Sequence, residues 1–148
     1  MRALIQRVNS SNVKVDGNIV GSIGKGFLIF LGVGKEDSEK EADKLLAKIL
    51  KLRIFEDENG KINYNLAQIN GEMLVISQFT LYARVKGQNR PGFTDAAEPK
   101  VANDLYEYFI NEAEKSVSKL GHGIFGADMK VCLENDGPFT IWLDTDEF

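Results

Sequence analysis

Two periods of apolar residues succeed one another along this chain, and each predicts a different element. Met1 to Val8 reads as a first strand. Val13 and Val15 then alternate with polar neighbours ahead of Asp16-Gly17, whose tolerance of positive φ suits a tight hairpin turn, and Ile19-Val20 resumes the strand behind it. Gly24-Lys25-Gly26 turns the chain into Phe27 to Val33, a run apolar enough to be a buried strand. From Asp37-Ser38 the period changes. Ala42, Leu45, Leu46, Ile49 and Leu50 recur at helical spacing, with Ser38 and Glu41 at capping-box distance in front of them. After a turn at Asp57 to Gly60, Glu72 to Tyr82 is expected to be a strand, and its core Met73-Leu74-Val75-Ile76, apolar on both faces, fits a central position. Ala83 to Phe93, which holds Gly87, Pro91 and Gly92, reads as a loop. A second helix is expected from Glu98-Pro99 to Leu120, burying Ala102, Leu105, Phe109 and Ala113 and stopped by Gly121. Met129, Val131 and Leu133 alternate up to a strand-turn-strand corner at Asn135-Asp136-Gly137-Pro138, and Phe139 to Leu143 returns as the last strand. The pattern adds up to roughly eight strands and two long helices.

The 148 residues suit a single domain, which at that size buries about 68–70% of its unfolded surface. With 43% hydrophobic and 27% charged residues, the chain is globular in composition. Eighteen Lys and Arg against 22 Asp and Glu leave a net charge of −4, which argues against a broad basic nucleic-acid surface and leaves room only for a local patch. One cysteine, Cys132, and one histidine, His122, exclude a disulfide framework, a Cys-rich zinc site and a multi-His metal centre. The N-terminus is too poor in apolar residues for a signal peptide, and Phe27 to Val33 falls well short of the roughly 20 residues of a membrane span. A soluble cytoplasmic protein without membrane partners is expected.

Ser77-Gln78-Phe79-Thr80-Leu81 closes the most apolar strand with two hydroxyls and an amide. It is either a strand running out to the surface or a site with a hydroxyl nucleophile, and the latter needs an adjacent base. His122, between Gly121 and Gly123, is the sole histidine available for that role, so a Ser/His/Asp triad is poorly supported. Cys132 has no CxxC partner and reads as a packing residue. Arg84, Lys86 and Arg90, with Lys100 beyond, form the one basic concentration. They are either a solvated loop or, beside Phe79 and Phe93, a surface for a single-stranded RNA end, where cations hold phosphates and rings stack on bases. Gly24-Lys25-Gly26 and Gly32-Val33-Gly34 lack the spacing of phosphate-binding or dinucleotide loops.

Taken together, Ser77 to Leu81 and Asn135-Asp136-Gly137-Pro138-Phe139-Thr140, preceded by Met1 to Val8 and accompanied by Phe30 to Val33, Leu52 to Phe55 and Gly123 to Met129, closely resemble the D-aminoacyl-tRNA deacylase family over essentially the whole chain. The resemblance implies an α/β fold of one domain, residues 1–148, in which stacked, mostly antiparallel or mixed sheets form a barrel-like core with two long helices on one side. It implies hydrolysis of the ester joining a D-amino acid, or glycine, to the 3′-terminal adenosine of tRNA, a proofreading activity of translation without cofactor, metal or DNA. It further implies a homodimer. Ser77, Gln78, Phe79 and Thr80 would surround the adenosine and the scissile ester. Gly137-Pro138 would be cis and would reach into the partner subunit's site to exclude L side chains. Arg7, Phe125 and Met129 would support this corner or line the adenine pocket, and Lys86, Arg90 and Phe93 match the tRNA-contacting motif. That motif is Lys-Gly-x-Arg-Pro-x-Phe in the family, whereas Lys86-Gly87-Gln88-Asn89-Arg90-Pro91-Gly92-Phe93 carries one residue more between Gly and Arg.

Since the ester is activated and the vicinal ribose hydroxyl can assist water, positioning and backbone N–H groups near Phe79 and Thr80 suffice for the chemistry. Thr80 as a covalent nucleophile is the alternative within the enzyme reading. Two other readings of the chain are a non-catalytic binder of aminoacyl or nucleotide ends and a Thr80-dependent hydrolase of small esters.

Overall fold

The computed structural model describes residues 1–148. Strand β1 (Arg2–Val15) runs unbroken past Val8, and the Asp16-Gly17 turn, with φ of 50° and 79°, returns it into β2 (Asn18–Ile23). Positive φ at both central residues is the geometry that matches the twist of paired strands. β3 (Gly26–Gly32) lies antiparallel to the first half of β1, and β6 (Glu72–Ser77) is parallel to β3, with Leu31 opposite Ser77. Between them come helix α1 (Glu39–Lys51) and the small hairpin of β4 (Phe55–Glu56) and β5 (Ile62–Tyr64). Helix α2 (Pro99–Glu114), β7 (Leu120–His122) and β8 (Met129–Asp144) complete the domain, β8 pairing with nearly the full length of β1.

Side chains on β3 and β6 point alternately to two cores, as the period of two requires. Phe27, Ile29, Leu31, Met73 and Val75 pack beneath α1 and α2, which supply Leu45, Ile49, Leu105 and Phe109. Leu28, Leu74 and Ile76 point the other way and join Val8, Val13 and Ile23 inside the curl of the sheet. The sheet is mixed and nearly closes into a barrel, with both helices on one side. At the closing edge Gly21 meets β7 so tightly that a Cβ there would sit 2.6 Å from the His122 carbonyl oxygen. Glu41 accepts from the Ser38 backbone N–H at 2.9 Å and from its hydroxyl at 2.6 Å, the reach-back that starts α1.

Three expected boundaries change. The strand from Glu72 ends at Ser77, and Phe79–Tyr82 is a 3₁₀ turn. β3 has already ended one residue beyond Ser77's partner, so after the Gln78 N–H donates to the Leu31 carbonyl (2.8 Å) the chain has no ladder to continue. Helix α2 stops at Glu114, and Leu120–His122 forms a strand, so Gly121 is not a helix stop. Pairing with the open edge of β6 outweighs the local helical spacing there. The Asn135–Pro138 corner does not reverse the chain: β8 pairs Asn135 with Val8 and Thr140 with Gln6, and the residues between bulge out of one continuing ladder. No helix is long and apolar enough to cross a membrane.

Candidate active site

The end of β6 opens into a cleft of about 610 Å³. Ser77, Gln78 and Phe79 form one wall, Phe93 and the start of α2 the second, and Phe125, Met129 and Val131 the third. Small side chains at Ala96, Ala97 and Ala102 keep the space open where α2 begins. Phe79 is 54% exposed, and its ring meets that of Phe93 edge-on with centroids 4.8 Å apart. This aromatic corner offers a base a face and an edge to pack on.

Thr80 follows at the rim. Its hydroxyl accepts a short hydrogen bond from Gln78 Nε2, and it does not line the cleft. The first N–H groups of a helical turn have no partner within it, so those of Phe79 and Thr80 are the donors this segment can offer to a substrate oxygen. Glu98, just before α2, is the sole ionisable side chain in the lining. His122 lies outside, its Nδ1 2.8 Å from the Gly123 carbonyl, and Cys132 is exposed on β8. The structure therefore assembles no nucleophile with a histidine base.

Of the remaining expected residues, Phe125, Met129 and Phe93 face the cleft, while Arg7, Gly137, Pro138, Lys86 and Arg90 do not. Arg7 is buried at 7% exposure on β1, where its guanidinium ties β8 to the segment just before β4. Nε donates to the Asp136 carbonyl at 2.8 Å, one terminal nitrogen donates to the Ile54 carbonyl at 2.6 Å, and the group lies 4.7 Å from the Phe139 ring centroid. The Asp136 carboxylate adds an ion pair at 3.2 Å.

Asn135, which sequence reasoning placed in the corner motif without a role of its own, closes the same corner. Its amide nitrogen lies within 3.0–3.3 Å of the Gln6 side-chain oxygen and the Arg7 and Phe139 carbonyls, and its oxygen accepts from the Phe139 N–H at 3.0 Å. Between these two clamps Gly137 and Pro138 stand exposed, joined by a cis peptide and held away from the cleft of their own chain. Lys86 and Arg90 are exposed on a loop whose neck closes by paired backbone bonds between Arg84 and Gly92 (2.8 and 3.0 Å). An Arg84–Asp95 ion pair braces that neck, and the additional residue falls at the tip.

Comparison with known proteins gives this arrangement a family. The family described as D-Tyr-tRNA(Tyr) deacylase matches residues 4–144. The D-aminoacyl-tRNA deacylase of Aquifex aeolicus is 56% identical over 147 residues, covering 99% of both chains, and that of Clostridioides difficile is 52% identical over 145 residues, covering 98% of this chain and 97% of the relative. Among solved structures, one named "c-Myc DNA Unwinding Element Binding Protein" superposes with a TM-score of 0.92 at 39% identity, covering 97% of this chain and 98% of that one. A second, "Structural Analysis of a probable eukaryotic D-amino acid tRNA deacylase", has a TM-score of 0.80 over 96% of this chain and 97% of that one, and its 18% identity speaks for the fold. With a family match across nearly all its length and relatives above half identity, the chain belongs to the D-aminoacyl-tRNA deacylase family of hydrolases.

Proposed function

We propose that the cleft at the end of β6 takes the 3′-terminal adenosine of tRNA with its D-aminoacyl or glycyl ester and hydrolyses that ester, a cytoplasmic proofreading step. The observation that carries this reading is an open, largely apolar cleft, walled by Ser77 to Phe79 and the Phe93 and Phe125 rings, without a nucleophile–base pair. Such a site binds and orients, and the substrate supplies the rest. An aminoacyl ester is already activated. Water attacks its carbonyl carbon, helped by the neighbouring ribose hydroxyl, while the N–H groups of Phe79 and Thr80 receive the negative charge that develops on the carbonyl oxygen. Collapse of the tetrahedral species breaks the bond to the ribose oxygen, which takes a proton as it leaves.

The chirality check belongs, in this reading, to a homodimer. Gly137 and Pro138 stand outside the cleft of their own chain, so they act on the site of the partner subunit. There the backbone carbonyls of the corner occupy the space that an L side chain needs, and a D side chain points out to solvent. The clamps from Arg7 and Asn135 suit a rigid steric gauge. Lys86 and Arg90 contact phosphates of the strand that leads into that terminal adenosine.

Incubation with matched D- and L-tyrosyl-tRNA tests the reading. Turnover of the D ester, with the L ester slower by orders of magnitude, is expected. Protection of both esters without turnover establishes a binding protein instead. Equal activity on simple esters lacking tRNA establishes a general esterase acting through Thr80.

A further inference from the structure

We propose that a second hollow, next to the cleft, is a nucleobase subsite that reads the cytosine preceding the terminal adenosine; this rests on the assignment of the cleft to that adenosine. The hollow has a volume of about 320 Å³ and lies between α2 and residues 122–125. Phe125 is a wall common to both spaces. Consecutive nucleotides are tied by one phosphodiester, so the neighbour of a base held in the cleft falls on the surface that adjoins it.

The chemistry of the hollow favours an amino-bearing base. Asn103, Tyr106, Glu107, Ile110 and Asn111 follow the i, i+3, i+4, i+7, i+8 pattern, so one face of α2 presents them together. The Tyr106 hydroxyl is spent on the Val75 carbonyl (2.9 Å). Asn103 Nδ2 donates to one Glu107 oxygen (3.1 Å), which leaves Asn103 Oδ1 and the second Glu107 oxygen as acceptors. His122 Nδ1 lies 2.8 Å from the Gly123 carbonyl, and a carbonyl only accepts. Nδ1 thus carries a proton toward that carbonyl, and Nε2 is the ring nitrogen left to meet a ligand.

The Glu107 carboxylate repels phosphate and wants N–H donors, while the second N–H of Asn103 and the Asn111 amide can donate to the ring nitrogen and carbonyl oxygen that cytosine also carries. The exocyclic amine of cytosine is the partner that carboxylates take in base recognition, whereas uracil places a carbonyl oxygen at the same position. The imidazole of His122, the ring of Phe125 and Ile124, which is 48% exposed, supply flat or apolar surface for the ring itself. Transfer RNA ends in cytidine, cytidine, adenosine, so the base required next to the cleft is one that this hollow suits.

The test compares binding of adenosine, cytidylyl-adenosine and uridylyl-adenosine by calorimetry, alongside the imidazole signal of the protein, unique because the chain has one histidine. Cytidylyl-adenosine is expected to bind at least about tenfold more tightly than uridylyl-adenosine. It should also shift the His122 resonance, which adenosine alone leaves in place. Glu107→Gln, at an exposed position, should bring the two dinucleotides within about threefold of each other. Equal affinities in the unaltered protein, or a His122 signal indifferent to cytidylyl-adenosine, overturn the subsite. Adenosine binding with no gain from the added cytidine overturns it while leaving the cleft assignment standing, and failure of all three ligands to bind overturns both.

Discussion

Arg7 is the residue on which the Gly137–Pro138 corner depends, and replacing it with methionine separates the geometric argument from its rivals. The substitution keeps a long apolar stem in a position that is 7% exposed, so little packing volume is lost. It removes the donors to the Asp136 carbonyl (2.8 Å) and the Ile54 carbonyl (2.6 Å), each of which then costs roughly 1–3 kcal/mol if left unsatisfied. The Asp136 carboxylate loses its partner too, but it is 33% exposed and water compensates for most of that loss. The sum is a destabilisation of about 2–6 kcal/mol, a large share of the roughly 5–15 kcal/mol by which domains are stable. Urea unfolding should therefore show a clearly lowered midpoint with an unchanged slope. Arg7→Lys keeps the charge without the fork that reaches two carbonyls, and it should fall between the two. Because the corner is the proposed gauge for L side chains, the ratio of D- to L-tyrosyl-tRNA turnover should fall in Arg7→Met at temperatures where the variant is fully folded. A loss of stability below about 1 kcal/mol would show that the carbonyls find other donors. An unaltered D/L ratio in a destabilised variant would refute the link from Arg7 through the corner to chirality.

Other consequences are checked more simply. Thr80→Ala should retain deacylation within about tenfold, since one neutral hydrogen bond is worth roughly 0.5–1.5 kcal/mol; an acyl-enzyme trapped on Thr80 would overturn this. D-Aminoacyl-tRNA ending in 2′-deoxyadenosine, with the amino acid on the 3′ oxygen, should bind but react orders of magnitude more slowly, because a well-placed hydroxyl can supply up to about 7–11 kcal/mol. Equal rates would place the assisting group on the protein. Burial pushes the Tyr106 phenol up to about 12, against about 10 in an unfolded chain. The unfolded state then releases a proton that the folded state keeps, so stability is complete below pH 10 and declines as pH rises to 12, by roughly 3 kcal/mol in total. Tyr106→Phe should flatten denaturation midpoints across that window, and an unchanged slope would show that Tyr106 does not titrate there.

Elements whose pattern is local were legible in the amino-acid sequence. α1 carries its own amphipathic stripe and the Ser38–Glu41 start signal, and the Asp16-Gly17 turn requires residues that accept positive φ. The doubly apolar run at Met73 to Ile76 likewise announced a central strand between two cores. The two motifs identified the family for the same reason: each is a contiguous string. What depends on distant partners was not legible. Helix α2 was read about six residues too long because Leu120–His122 continues an apolar spacing, and only the free edge of β6 makes it a strand. Ser77 ends its strand because β3 stops beside it. Arg7, singled out in the sequence only through the family resemblance, has by pattern alone the look of any polar residue of an alternating strand, and its role at the corner rests on Ile54, Asp136 and Phe139 converging on its guanidinium. The cleft gathers its walls from positions 76–79, 93–102 and 125–131, and the one-residue spacing change in the basic loop proves to lie at an exposed tip. Local order follows from short-range sterics and periodicity, which a sequence displays directly. The clamp on the corner and the shape of the cleft arise from contacts between segments far apart in the chain, which exist only once the sheet has curled.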